Sequence, residues 1–191
     1  MLGGRVTKCL ERGHHFAAMV VADEMVLDGT EPLTVDRICL EIRKRGWRLD
    51  EFVCDPAGRS AEATSGVDQI AVAKSILGVQ ARFRTDPAGR SVRNGIEHVK
   101  ALLDPAKDST PRLYVARDVV ARAHTLPAHL KQRSLPFAIR AYSYPEDKAG
   151  KPVSSEPVKD GVTDHAMDCV RYASVWYFPM ARLMAGAVST K

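Results

Sequence analysis

Apolar residues along this chain recur in short blocks whose spacing alternates between about two and about 3.6 residues, the periods of strand and helix. The run FAAMVVADEMVL, Phe16 to Leu27, is apolar apart from Asp23 and Glu24. It predicts a buried strand, or a hairpin arm ending at Asp28-Gly29. Thr34 stands at a capping position ahead of VDRICLEIRKRG, where Val35, Ile38, Cys39 and Ile42 share one helical stripe and Gly46 supplies the stop. The β-prone EFVCD follows, ended by Pro56, which cannot donate to a ladder. SGVDQIAVAKSILG predicts a second helix closed by Gly78, VQARFRT a strand, SVRNGIEHVKALLD a third helix and RLYVA another short strand. Leu126 to Tyr144 reads as a short helix and then a strand. A polar loop, YPEDKAGKPVSSEPVKDG, separates it from a long helix starting near Thr163.

Alternation of this kind predicts an α/β fold with a largely parallel sheet covered by helices on both faces. With 191 residues, 45% of them hydrophobic and 27% charged, the chain suits one soluble globular domain. No stretch approaches the roughly 18 apolar residues of a membrane helix, and MLGGRVTKCLERGHHF lacks the apolar centre of a signal peptide. The expectation is a cytoplasmic protein with no membrane partner. Cys9, Cys39, Cys54 and Cys169 are scattered without a CxxC pair, which argues for reduced thiols rather than a zinc site or disulfides. Neither GxxxxGK[ST] nor GxGxxG occurs, so no nucleotide cofactor is expected. The net charge of +5 permits a nucleic-acid partner without requiring one.

Candidate chemistry lies in two places. The hexapeptide DPAGRS occurs at Asp55 to Ser60 and again at Asp86 to Ser91, but the flanking sequences do not match, so this is no structural repeat. Asp55 ends an apolar strand, where catalytic groups of parallel sheets gather, whereas Asp86 suits a turn or helix cap. The second place is KDGVTDHAMDCVRYA. At about 100° per residue, Asp164, His165, Asp168, Arg171 and Tyr172 share one helical face, opposite Ala166, Cys169, Val170 and Ala173, the expected packing face. Two carboxylates one turn apart repel each other on a bare helix but suit a hard divalent cation. Asp164 also fits a simpler role, with Thr163 as cap and the acid complementing the helix dipole.

Taken together, DEFVCDPAG, RNGIEHVKALL, RLYVA, RAYSYP and VKDGVTDHAMDCVRYA resemble the C-terminal nuclease domain of phage terminase large subunits, over about His15 to Ala173. The resemblance implies an α/β, RNase H-like mixed central sheet flanked by helices in a single domain. It divides the chain into an N-terminal segment 1–15 holding a truncated first strand, the nuclease domain 16–178 and a tail 179–191. It implies a metal-dependent endonuclease that cuts concatemeric phage or prophage DNA during packaging, using two divalent cations, Mg²⁺ or Mn²⁺. Asp55 and Asp168 match two of that family's metal-holding acids, with His165 and Asp164 as neighbouring candidates. Lys159, Arg171, Arg59 and Arg90 are the candidate contacts to the DNA backbone. Duplex DNA, an ATPase domain, a small terminase subunit and a portal are the implied partners, and the host cytoplasm the implied location. With no motor domain in the sequence, the expectation is an isolated domain, a split product or a prophage fragment. The family's first-strand acid has no counterpart in MLGGRVTKCLERGHHF. Completeness therefore turns on whether Glu11, Asp23 or Glu24 reaches Asp55 and Asp168. The alternative is an RNase H-like domain that binds DNA or terminase partners without cutting.

Overall fold

The structure, a computed structural model, describes residues 2–11, 14–27, 34–55, 68–83, 90–104, 111–154 and 156–178. Their architecture is mixed α/β. The N-terminal segment forms a full strand, β1 (Leu2–Glu11), which pairs antiparallel with β2 (His14–Glu24) and carries an irregularity between Gly3 and Gly4. The truncated strand expected over 1–15 is thus a ten-residue hairpin arm. Across β2, the short β5 (Leu113–Val115) joins in parallel, giving the order β1-β2-β5.

The expected single central sheet is replaced, among the described residues, by two sheets. β3 (Glu51–Val53) and β4 (Gln80–Arg82) pair in parallel as a separate two-stranded ribbon. Three-residue strands offer few ladder bonds, so tertiary contacts decide which strands meet.

Helices α1 (Val35–Lys44) and α2 (Gln69–Leu77) accompany this ribbon and bury Cys39, Ile42, Ile70 and Ala73. Both end as the glycines require. Gly46 and Gly78 adopt φ of 67° and 71°, and the Gly78 amide donates to the Lys74 carbonyl at 2.9 Å. Asp68 caps α2 through Ile70 and Ala71, whereas Thr34 occupies the α1 cap position without a side-chain capping bond.

Beyond these, α3 (Val92–Leu103) precedes β5, and α4 (Arg117–Thr125), α5 (Ala128–Lys131) and α6 (Leu135–Ala141) follow it. The strand expected before Tyr144 is the helix α6, followed by extended chain. The last helix, α7 (Asp164–Tyr177), packs on α3, α6 and β3.

The main core joins Met19 and Val21 of β2, Val99 and Leu102 of α3, Leu113, Leu135 and Ala138 to Ala166, Met167 and Val170 of α7. Because α7 is covered on several sides, its buried set is wider than expected and takes in Met167, Arg171, Ser174 and Val175. Cys169 and Ala173 are only half-buried. No described helix is long and apolar enough to cross a membrane.

Candidate functional site

Asp55 lies two residues beyond β3, exposed, at the C-terminal end of the two-stranded ribbon. Its carboxylate Oδ2 accepts a hydrogen bond of 2.8 Å from the phenol of Tyr172, which is 117 residues away on α7. The two most informative sequence motifs therefore meet. Two further bonds hold the ribbon to α7 nearby. The Tyr177 phenol donates to Glu51 Oε1 at 2.6 Å, and Arg82 donates to Glu51 Oε2 at 2.5 Å while its guanidinium lies 5.8 Å from the Trp176 ring. Burial would raise the pKa of Glu51, yet Tyr177, Arg82 and Trp176 outweigh it and hold the group ionised below its ordinary range.

One turn before Tyr172, Asp168 is held differently. Arg171 donates from both Nε (3.1 Å) and Nη2 (2.7 Å) to the same oxygen, Asp168 Oδ1. Arg171 is only 4% exposed, so the expected surface contact to DNA is instead a buried ion pair. Its carbon stem crosses Gly95 of α3, where an added Cβ would stand 2.1 Å from Cγ and 2.4 Å from Cδ. Its guanidinium also lies 4.5 Å from the Tyr172 ring, a cation–π distance. Burial and the bond to Asp55 push the Tyr172 phenol up to about 12, so it stays a donor at neutral pH.

At the start of α7 the cap is not Thr163. Asp160 accepts from the amides of Val162 (2.8 Å) and Thr163 (2.7 Å) and from the Thr163 hydroxyl (3.0 Å). Asp164, the first residue of the helix, keeps its place in the first turn, and its Oδ1 is buried with no hydrogen-bond partner, as is Nη1 of Arg171. Both residues act on Tyr142, whose phenol is raised first by burial and then by Asp168, with Asp164 adding to the effect and Arg171 opposing it. His165, Lys159 and Arg90 are exposed. Arg59 and Asp86 lie outside the described residues, and the cap of α3 is Ser91, which accepts from the Asn94 amide.

Asp23 and Glu24, the acids that would complete the site, have partners of their own. Asp23 accepts from the Trp47 indole at 2.8 Å, from the Glu24 amide at 2.7 Å, and from Arg45 and Arg122. Burial alone would raise its pKa, but these donors hold it below the ordinary carboxylate range. Glu24 caps α6 by accepting from the Leu135 amide at 2.7 Å, and burial raises its pKa despite that bond. The side chain of Glu11 lies outside what the structure describes. Burial and then the charges of Asp55 and Asp68 push the thiol of Cys54, beside Asp55, up to about 11, which favours the protonated thiol at neutral pH.

Asp55, Asp164 and Asp168 offer hard oxygen donors of the kind Mg²⁺ or Mn²⁺ prefers, and the unpartnered Asp164 Oδ1 is a donor atom without a use inside the fold. Among the described residues, however, no three His, Cys, Asp or Glu side chains stand close enough together to hold an ion. A cation at Asp55 would share the lone pairs of that carboxylate with the Tyr172 phenol, which already donates to Oδ2. Comparison with family models, with characterised proteins and with solved structures finds no match.

Proposed function

We propose that this chain is an RNase H-like nuclease domain of the terminase large-subunit type, acting on concatemeric duplex DNA during genome packaging. The observation that carries the reading is the Tyr172–Asp55 hydrogen bond, which joins the DPAG turn after β3 to the DHAMDCVRY helix. A divalent cation, one or a pair of Mg²⁺ or Mn²⁺, would supply the activation of water and the neutralisation of the leaving oxygen. In this reading Asp55 and Asp168 are the ligands, and Asp164 offers a further oxygen. Arg171 fixes Asp168 by its Oδ1 and leaves Oδ2 directed by the same grip. Tyr172 competes with the cation for the lone pairs of Asp55 Oδ2. An ATPase domain, a small terminase subunit and a portal are the partners this reading expects.

The test is nicking of supercoiled plasmid by the purified chain with Mn²⁺, with Mg²⁺ and with EDTA. Cleavage should require metal, disappear in Asp55→Ala and Asp168→Ala, and survive in Asp86→Ala. Equal loss at Asp55 and Asp86 would overturn the assignment of the first DPAGRS.

A second reading has its own support. Asp23 is occupied by the Trp47 indole, Arg45 and Arg122, and Glu24 by the Leu135 amide. A domain that binds DNA or terminase partners without cutting would look like this, and absence of cleavage by folded protein that still binds DNA would select it.

A further inference from the structure

Charge is spread unevenly along the chain. From Arg112 to Arg140 there are six cations (Arg112, Arg117, Arg122, Lys131, Arg133 and Arg140) and one carboxylate, Asp118. Removing six from the 28 cations and one from the 23 carboxylates leaves 22 of each, so this segment accounts for the whole net charge of +5. After Asp118 the next carboxylate is Glu146.

Three helices gather these groups onto one surface. Arg117 and His124, two turns apart, share the exposed stripe of α4, opposite the buried Val119 and Ala123. The His124 ring meets the Phe137 ring edge-on at 5.1 Å, and the Lys131 ammonium stands 5.7 Å from the same ring. Arg140, exposed, follows Phe137 by three residues on α6. A half-buried aromatic ring is thus bordered by basic groups from α4, α5 and α6. Arg122 is neutralised by Asp23, but no ion pair among the described residues neutralises Arg117, Lys131, Arg133 or Arg140. α6 packs against α7, with its Leu135 and Ala138 in one core with Ala166, Met167 and Val170, and Tyr142 just beyond its end packs on the same core.

We infer that α4, α5 and α6 form a phosphate-binding face that holds the duplex DNA backbone and leads it toward the α7 carboxylates. The partner's identity as DNA rests on the function proposed above. The site itself rests on the surplus of cations, whose mutual repulsion a polyanion relieves. Such contacts position a duplex and carry no sequence information.

The test is fluorescence anisotropy of the full chain with a labelled duplex of mixed sequence in EDTA, which keeps cleavage and divalent metal ions out of the measurement. Arg117→Glu/Arg140→Glu is compared with Lys74→Glu/Lys100→Glu, which changes net charge equally on α2 and α3. The α4–α6 pair should weaken binding at least about tenfold more than the control pair, and should lower the salt slope by about 2, one unit per lost phosphate contact. If Arg117→Glu/Arg140→Glu fails to fold by circular dichroism, Arg117→Gln/Arg140→Gln should still lower the slope by about 2. Equal weakening by both pairs would overturn the inference, since only net charge would matter. Wild-type-like binding by the α4–α6 pair would also overturn it while leaving DNA as the partner. No binding of DNA by the wild type would instead sink the DNA reading, and the inference with it, whether or not anionic lipid vesicles or heparin bound.

Discussion

Two groups of carboxylates in this fold are treated in opposite ways. At the end of β2, Asp23 and Glu24 are consumed by structure: one gathers an indole, an amide and two guanidiniums, and the other caps α6. Near α7, Asp55 stays exposed with its described hydrogen bond coming from a phenol, Asp168 is gripped through one oxygen, and Asp164 keeps a buried oxygen without a partner. A carboxylate committed to a fold spends its lone pairs on donors inside it, as Asp23 does, while one buried against a single described donor, as Glu24 is, is pushed toward its neutral form. One meant for an external cation must keep lone pairs for it. The comparison marks α7 as the place to look for chemistry, and β2 as the place to look for stability.

The largest expected effect separates these two roles at Gly95. Gly95→Ala would normally stabilise a helix by up to about 1 kcal/mol. Here the new methyl meets the Arg171 stem at 2.1 Å, so thermal unfolding should show a net loss of about 2–3 kcal/mol. Adding Arg171→Ala should recover part of that overpacking loss in a double-mutant cycle. A stabilised Gly95→Ala would show that Arg171 moves freely and does not fix Asp168.

Next, Asp23→Asn should cost about 1–3 kcal/mol at neutral pH. Because the folded pKa of Asp23 is depressed, its contribution is fully present above the ordinary carboxylate value and is lost as the pH falls through the lower folded value. The gap between mutant and wild type should therefore close in acid, as followed by denaturant unfolding across pH.

Tyr172→Phe should cost less, about 0.5–1 kcal/mol, because its partner carboxylate is exposed. Its sharper readout is Mn²⁺ binding by calorimetry, which should strengthen once Asp55 is released. Weaker binding would mean that the phenol supports the carboxylate rather than blocking it.

The smallest effect has the opposite sign. Glu24 is raised by burial, so its ionisation costs stability as pH rises past the ordinary carboxylate value. Glu24→Gln, whose amide oxygen can still accept from Leu135, should match or slightly exceed the wild type at neutral pH. That advantage should vanish in acid, and a clear loss at neutral pH would show that the charge itself holds α6.

Local signals were legible where they are local in cause. The helices α1, α2, α3 and α7, the two glycine stops and the strands β2 to β5 follow from spacing and backbone preference in the sequence. Less legible was the region from Leu126 to Tyr144, where SLPFAIRA reads as strand by composition but is helix in the fold, begun by Pro136 near its first turn and capped by a glutamate 111 residues away. Nor does β1 announce itself, since LGGRVTKCLE alternates weakly and gains its ladder only from β2.

The same division applies to the site. The sequence alone determined which residue types could serve: acids after β3 and one turn apart on α7, and a basic segment almost free of carboxylates. Only the tertiary structure decided their uses. It buried Arg171 over Gly95, turned Asp23 and Glu24 into structural acceptors, set Tyr172 against Asp55, and brought three short helices together around Phe137. The physical reason is range. Helix periodicity and turn chemistry act over a few residues, whereas desolvation and hydrogen-bond partnership depend on what the rest of the chain places nearby.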